Sequence, residues 1–246
     1  MCPHPATRIS MARVGLAICQ KPTGFTARQP SFPSRPVAIR WIQPASGHLP
    51  WPRRETPRNL WNHPRHLPAA RDLILALITL KYTQSNSVCL AYQGQAIGIG
   101  AGQQSRIHCV RLAASKADRW FLRQHPAVLG LGFRSDVARP ERNNAIDLYL
   151  EDSLSPAEER AWLEYFETPP VRLSAAEKRE WLGAQKGVSL ASDAFFPFRD
   201  NIDRASQSGV SYVSQPGGSV RDDLVIGAAD EYGMAMAWSS LRLFHH

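Results

Sequence analysis

From Ala70 onward, the order of apolar and polar residues predicts helices and strands in alternation. The run "ARDLILALITLKYT" is apolar on nearly all sides, so it predicts a helix that is buried on most of its circumference and too short to span a bilayer. The segment "VCLAYQGQAIGIGAG" predicts two strands that form a hairpin around Gln93-Gly94-Gln95. The next segment, "QSRIHCVRLAASKADRWFLRQH", predicts a long helix that Pro126 ends.

The rest of the chain continues this pattern. Capping boxes at residues 155–158 and 174–177 predict two helix starts. The last sixty residues then alternate three β-type runs with two helical runs, which predicts an α/β fold with βαβ units and parallel strands. In such sheets, ligands collect beyond the carboxyl ends of the strands. Those ends hold residues 193–201, 215–219 and 239–246.

The first seventy residues differ in composition from the rest. They contain twelve of the nineteen prolines, and ten Arg or Lys residues against the single acid Glu55. The chain carries a formal net charge of +8, and all of that excess lies in this segment. Proline removes backbone donors and interrupts helices and strands. We therefore expect a disordered basic extension over residues 1–69 and one α/β domain over residues 70–246.

Three interpretations of the extension are open. Residues 1–54 are free of acids and contain Arg and Ser, as in a mitochondrial transit peptide, although few of them suit an amphipathic helix. Arginines interleaved with Trp41, Trp51 and Trp61 could instead contact phosphates and bases, although we expect no nucleic-acid partner. The third interpretation is an extension without a function of its own, or one that reflects a mistaken translation start.

Cysteine usage indicates a compartment. The four cysteines, Cys2, Cys19, Cys89 and Cys109, form no CxxC motif and are too sparse for a disulfide framework. A reducing compartment follows, and we expect a cytosolic protein. No apolar run is long enough to predict a membrane span.

Two segments contain candidate site residues. In "IGIGAGQQSR", three glycines precede a helix without matching GxGxxG or a P-loop, so a tight turn and a ligand-binding loop are both open. Arg106 would lie in the first turn of that helix, where the helix dipole disfavours a cation unless an anion compensates. In "SDAFFPFRDN", the phenylalanines are either core residues or an aromatic wall, and Asp200 is either a helix N-cap or a hydrogen-bond acceptor for a heterocycle.

A zinc site is not predicted. His108 and Cys109 are neighbours on a predicted helix, so their side chains point about 100° apart. The chain also has no HxE or PCxxC pattern to complete the zinc site of a deaminase.

Long collinear motifs resemble one enzyme family. The segments "LKYTQSNSVCLAYQGQAIGIGAGQQSRIHCVRLA", "NNAIDLYL", "VSLASDAFFPFRDNIDRA" and "LRLFHH" are similar to the C-terminal part of the bifunctional purine-biosynthesis enzymes. These are aminoimidazole carboxamide ribonucleotide (AICAR) formyltransferases/IMP cyclohydrolases. The resemblance begins near Ala70 and runs to His246. It implies a cytidine-deaminase-like α/β fold, and a homodimer with active sites between the subunits.

The resemblance also implies roles for individual residues. The family moves the formyl group of 10-formyltetrahydrofolate to the exocyclic amine of AICAR. Asn86 would lie near the AICAR carboxamide and the transferring formyl group, and Arg106 on the folate side. Phe195 would pack on the folate ring and Asp200 would bind the pterin. Arg242 would neutralise the 5′-phosphate of AICAR.

Two further implications concern a cation and a missing part. The family binds potassium, for which the matching positions are Thr83, Ser87, Asp193, Leu243 and His245. The family's catalytic Lys-His pair lies in a preceding half that residues 1–69 do not match, and the cyclohydrolase domain is also missing. We therefore expect formyl transfer by family, with low activity of this chain alone. The alternative is a non-catalytic fragment that binds ligand or dimerises.

Overall fold

The computed structural model describes residues 40–42 and 67–243. These residues lie in one compact unit, Val37–His246. The remaining residues, including His245 and most of the predicted extension, lie outside the described part of the chain.

A mixed six-stranded sheet forms the centre of the domain. Its strands are β1 (Arg40–Ile42), β2 (Val88–Tyr92), β3 (Gln95–Gly100), β4 (Val188–Ser192), β5 (Val210–Gln215) and β6 (Ala235–Trp238). Their order across the sheet is β1-β6-β5-β4-β2-β3. β4, β5 and β6 are parallel, whereas the other neighbouring pairs are antiparallel. The predicted α/β class and βαβ units are confirmed, and the cytidine-deaminase-like assignment stays a prediction.

The described residues contain eight helices, of which four pack on the sheet. They are α1 (Leu67–Lys81), α2 (Arg106–Leu122), α3 (Pro126–Leu129), α4 (Arg139–Leu150), α5 (Pro156–Leu163), α6 (Ala175–Gly183), α7 (Asp200–Ser206) and α8 (Asp222–Glu231). α1 packs on one face of the sheet, and α2, α7 and α8 pack on the other. The side chains of β2 alternate accordingly, since Val88 and Leu90 belong to the α2 core and Cys89 and Ala91 contact α1. α4, α5 and α6 form a smaller core around Trp162.

Local sequence signals account for several boundaries. In the β2–β3 hairpin, Gln93 and Gly94 both have positive φ, at 49° and 81°, as a two-residue hairpin turn requires. The capping boxes begin α5 and α6 as predicted, because Ser155 and Ser174 each accept a hydrogen bond from the amide three residues later. Among the described residues, no helix is both long and apolar enough to cross a membrane.

α1 is less buried than its sequence predicts. Its inner side packs on β2 and β4, but Ile74 and Ile78 remain 46% and 50% exposed. The expectation of burial on most of the circumference is therefore wrong. The physical reason is that α1 packs alone on its face of the sheet in the described structure, so no described neighbour covers its outer side.

β1 departs from the expected organisation of the extension. Arg40–Ile42 pairs antiparallel with β6 and extends the sheet by one strand. The expectation that residues 1–69 stay outside the domain is wrong for these three residues. They lie in the proline-free stretch between Pro36 and Pro44, where the backbone amides are free to donate.

Two glycines of β3 allow α2 to approach the sheet. A Cβ atom at Gly100 would lie 2.0 Å from the carbonyl oxygen of Cys109, and one at Gly98 would lie 2.1 Å from that of Ala113. The carbonyls belong to a rigid helix, so neither contact can relax without moving α2. Gly98 and Gly100 therefore belong to helix–strand packing and not to the ligand-binding loop that the sequence left open.

Replacing Gly100 with alanine is expected to destabilise the fold. The free energy of unfolding should fall by at least about 1–3 kcal/mol, the usual cost of overpacking a core. Denaturant unfolding measures the change. Gly227→Ala in α8 is the matched control, because a Cβ atom there meets no atom within 4 Å. Equal unfolding midpoints for Gly100→Ala and the unmodified chain would contradict this account.

Candidate functional site

The candidate residues meet at one edge of the sheet. β4, β5 and β6 run parallel and end at this edge, at Ser192, Gln215 and Trp238. β2 begins there at Val88, because it runs antiparallel to β4. The segments beyond these ends hold the candidate residues, as expected for a parallel sheet. We call this place the site edge.

A buried ion pair lies at the centre of the site edge. The guanidinium of Arg106 contacts Oδ1 of Asp193, and both side chains are almost completely buried. Oδ2 of Asp193 accepts hydrogen bonds of 3.0 Å from both the amide and the hydroxyl of Ser87. Arg106 also donates to the carbonyl of Ser87 at 3.0 Å. Buried charges are costly unless they are paired and hydrogen-bonded, and this arrangement meets both conditions.

The ion pair explains how a cation is tolerated at the start of α2. Arg106 is the first residue of α2, where the helix dipole disfavours positive charge. The sequence suggested that an anion compensates, and the carboxylate of Asp193 is that anion. The position of Arg106 alone is therefore no evidence for a bound anion.

Asn86 joins the same network. Its Oδ1 accepts a hydrogen bond of 3.1 Å from Nη2 of Arg106, and its Nδ2 donates to the carbonyl of Gln103 at 3.0 Å. These partners fix the orientation of the amide, since its oxygen faces a donor and its nitrogen faces an acceptor. The thiol of Cys109 donates to the carbonyl of Asn86 over 3.1 Å, and burial raises the pKa of this thiol.

The aromatic residues after β4 divide between core and site edge. Phe196 is fully buried in the core, whereas Phe195 is partly exposed and Phe198 is exposed. The ring of Phe195 faces Arg242, whose Cζ lies 5.6 Å from the ring centroid. A guanidinium at this distance from an aromatic ring makes a cation–π contact. Each of the two interpretations left open applies to a different residue. Phe196 is a core residue, whereas Phe195 lines the site edge.

Arg242 is carried by a segment that is anchored on both sides. The amide of Ser239 donates to the carbonyl of Gln215 at 2.8 Å, and the amide of Leu243 donates to the carbonyl of Asp193 at 2.9 Å. Arg242 lies between these anchors with its side chain exposed to solvent. Its guanidinium is therefore held at the site edge yet stays accessible to a ligand.

Asp200 begins α7 without capping it. The N-cap position is Arg199, and Asp200 is the first helical residue, so the N-cap interpretation of Asp200 is wrong. Its exposed carboxylate accepts one hydrogen bond of 2.8 Å from Nδ2 of Asn201. The same Nδ2 donates to the carbonyl of Phe198 at 3.0 Å. Asn201 thus ties the carboxylate to the loop that carries the aromatic residues.

The five residues matched to a potassium site come together only in part. Ser87 and Asp193 are in contact, and Leu243 is hydrogen-bonded to Asp193. However, both carboxylate oxygens of Asp193 already have partners, and its charge is neutralised by Arg106. The hydroxyl of Thr83 donates into α1, to the carbonyl of Thr79 at 2.6 Å. Among the matched positions that the structure describes, Asp193 carries the only carboxylate, and Arg106 already pairs with it. The potassium site stays a prediction, and we derive no step through the cation.

Clustered metal ligands are also missing from the described residues. No three His, Cys, Asp or Glu side chains gather there as a metal site requires. His108 and Cys109 cannot bind one metal ion together, because the side chain of His108 faces solvent and that of Cys109 is buried.

The sequence places Gln215 and Ser239 beyond the strand ends but predicts no role for either residue. Both are buried at the ends of neighbouring strands, and they hold the segments that carry Phe195 and Arg242. The available signal was a glutamine at the end of the β-type run "VSYVSQ", just before "PGG". A long polar side chain in such a place needs a buried partner.

Comparison with known proteins finds relatives among the purine-biosynthesis bienzymes. The model of the AICARFT/IMPCHase bienzyme matches residues 62–116. The chain is 34% identical over 177 residues to the bifunctional purine biosynthesis protein PurH of Acidithiobacillus ferrooxidans. This match covers 72% of the chain and 22% of the length of that relative. Over the matched residues, the chain is therefore similar to the AICARFT/IMPCHase bienzymes, as its motifs predicted.

Proposed function

We propose that this chain carries the ligand-binding part of an AICAR transformylase in purine biosynthesis. Its ligands are AICAR and 10-formyltetrahydrofolate. The observation that carries the proposal is the meeting of Phe195 and Arg242 at the site edge, beside the network of Asn86 and Arg106. An aromatic ring and an accessible guanidinium within a few ångströms suit a ligand that has both a ring system and a phosphate.

Arg242 and Phe195 divide the recognition between them. The guanidinium of Arg242 is exposed and forms a planar fork of donors, which suits the 5′-phosphate of AICAR. The ring of Phe195 offers a flat apolar surface to the folate ring, and the exposed carboxylate of Asp200 accepts hydrogen bonds from N–H groups of the pterin. Phe195 lies in the loop between β4 and α7, and Asp200 is the first residue of α7.

Asn86 orients the reacting groups. Its amide is fixed by Arg106 and Gln103, so it presents a constant pattern of donor and acceptor to the carboxamide of AICAR. Oδ1 retains a second lone pair for the ligand. In the reaction, the amine nitrogen of AICAR bonds to the formyl carbon and the bond from that carbon to N10 of the folate breaks. One proton leaves the amine, and one reaches N10.

The active assembly in this proposal is larger than the described domain. It is a cytosolic homodimer in which other parts of the transformylase provide the groups that transfer these protons. The similarity to PurH supports an assembly larger than this domain, since the matched residues span 22% of the length of that relative.

Replacing Arg242 with alanine tests the proposal. In a complete transformylase that carries this domain, the variant should bind AICAR more weakly by over about 1.5 kcal/mol, as expected when a charge-assisted contact to an anion is lost. Affinity for tetrahydrofolate should change much less. Isothermal titration with each ligand measures both values.

Arg134→Ala is the matched control, because Arg134 is exposed and its side chain contacts Asp136 and the carbonyl of Glu164. It should leave both affinities unchanged. Equal losses for AICAR and tetrahydrofolate in Arg242→Ala would argue against a phosphate contact and for displacement of the whole segment.

A further inference from the structure

Gln215 connects the two segments that form the site edge. It is the last residue of β5 and is completely buried. Its side-chain Oε1 accepts a hydrogen bond of 2.7 Å from the amide of Phe196, and its main-chain carbonyl accepts the 2.8 Å bond from Ser239. One residue thus binds the loop after β4 and the segment after β6. These segments carry Phe195 and Arg242.

The orientation of the Gln215 amide is set by its partners. The amide of Phe196 can only donate, so the atom facing it must be the oxygen of the side chain. The Nε2 atom points to the sulfur of Met236 on the neighbouring strand, at 3.4 Å. No apolar side chain of similar size can replace this acceptor. An apolar residue at position 215 would leave a buried N–H without a partner.

The hydrogen bond to Phe196 also determines where Phe195 lies. The amide nitrogen of Phe196 belongs to the peptide group that joins the two phenylalanines. On one side of that peptide, the ring of Phe196 is fixed in the core. On the other side, the ring of Phe195 faces the guanidinium of Arg242. The hydrogen bond to Gln215 holds this peptide against β5. It therefore sets the distance between the ring of Phe195 and the guanidinium of Arg242.

We propose that Gln215 is a positioning residue that places the ring of Phe195 for the folate, through its hydrogen bond to the amide of Phe196. The identity of the ligand rests on the proposed function, whereas the role in placing Phe195 rests on the contacts alone. Gln215 does not touch the ligand in this proposal. Its side chain affects folate binding through Phe195. The position of Arg242 depends instead on main-chain hydrogen bonds, which the side chain of Gln215 does not make.

Two variants separate the acceptor from the bulk of the side chain. Gln215→Met keeps the length and removes the acceptor, whereas Gln215→Glu keeps an oxygen that accepts from Phe196 whether or not the carboxyl is ionised. Tyr149→Phe is the matched control. It removes a hydrogen bond of 2.9 Å from a buried side chain to the carbonyl of Val171, within the separate core of α4 to α6.

The first measurement needs no ligand. Native-state hydrogen exchange on the full chain should show faster exchange of the Phe196 amide in Gln215→Met, by about tenfold or more for the loss of one buried hydrogen bond. Exchange of the Ser239 amide should change less, since its acceptor is a main-chain atom. Gln215→Glu and Tyr149→Phe should keep the Phe196 amide protected. Unchanged protection in Gln215→Met, or lost protection in Gln215→Glu, would overturn the proposal.

The second measurement uses tetrahydrofolate and AICAR with the complete transformylase. Gln215→Met should weaken tetrahydrofolate binding by about tenfold and AICAR binding by less than about twofold. In a Phe195→Ala background, Gln215→Met should cause no further loss of tetrahydrofolate affinity, because its effect acts through that ring. Additive losses, or equal losses for both ligands, would show a general structural effect and overturn the proposal.

The two measurements also separate this proposal from the proposed function. If the unmodified enzyme binds neither ligand, the proposed function fails, and hydrogen exchange still decides whether Gln215 places the Phe195–Phe196 peptide. If Gln215→Met does not fold, the comparison of Gln215→Glu with Tyr149→Phe decides whether Gln215 places this peptide. Protection of the Phe196 amide in Gln215→Glu would support the proposal, and its loss would overturn it.

Discussion

Replacing Asp193 with asparagine is expected to lower the free energy of unfolding by about 3–5 kcal/mol, as measured when one partner of a buried ion pair is removed. The variant keeps the size of the side chain but leaves the guanidinium of Arg106 buried without a counter-charge. It also weakens the acceptor that binds the amide and hydroxyl of Ser87. Denaturant unfolding with a probe of the whole domain measures the loss.

Two further variants test the cause of that loss. Adding Arg106→Met to Asp193→Asn removes the unpaired charge, so it should restore part of the lost stability. Asp136→Asn breaks the exposed pair with Arg134 and should cause no measurable change. A loss in Asp193→Asn no larger than that in Asp136→Asn would mean that the buried pair contributes nothing, contrary to our interpretation.

The second large effect concerns turnover. The purified chain alone should transfer formyl groups at least about 100-fold more slowly than a complete transformylase, because each general acid or base typically contributes about 10²–10⁴ in rate. Among the described residues at the site edge, Arg106 and Arg242 offer hydrogen-bond donors and no acceptor. Burial raises the pKa of the Cys109 thiol, and in the proposed function the carboxylate of Asp200 binds the pterin. None of these groups suits a base that accepts the amine proton.

The assay is formyl transfer with saturating AICAR and 10-formyltetrahydrofolate. The chain is compared with the full-length PurH of Acidithiobacillus ferrooxidans, and with a mixture of the chain and the part of PurH that the chain does not match. Activity that appears only in the mixture would locate the missing groups in that part. A rate for the chain alone that equals the PurH rate would refute the prediction.

The elements that the sequence predicts correctly are those specified by neighbouring residues. A hairpin needs only a turn such as Gln93-Gly94 between two apolar runs, and α5 and α6 need only their capping boxes. The alternation after Gln185 likewise predicts β4, β5 and β6 because a crossover helix forces parallel strands. In each case, the deciding contacts lie within a few positions along the chain.

The features that the sequence does not predict depend on distant residues. Arg106 could be placed at a helix start, but its counter-charge is 87 residues further along. The role of Gly100 depends on the close approach of α2, and the exposed face of α1 depends on what covers that helix. β1 is only three residues long and carries no periodic signal. Such contacts follow from the assembled sheet and cannot be read from a local pattern.

The order of the strands has a consequence for synthesis on the ribosome. β2 lies between β3 and β4, yet β4 follows it by about a hundred residues of helix and loop. Until β4 emerges, the hairpin of β2 and β3 exposes an open edge, and Arg106 has no counter-charge. Contacts between distant segments form slowly, and an open strand edge can pair with another chain. The nascent chain is therefore most prone to aggregation while the helices α3 to α6 are being made, and protection begins when Asp193 arrives.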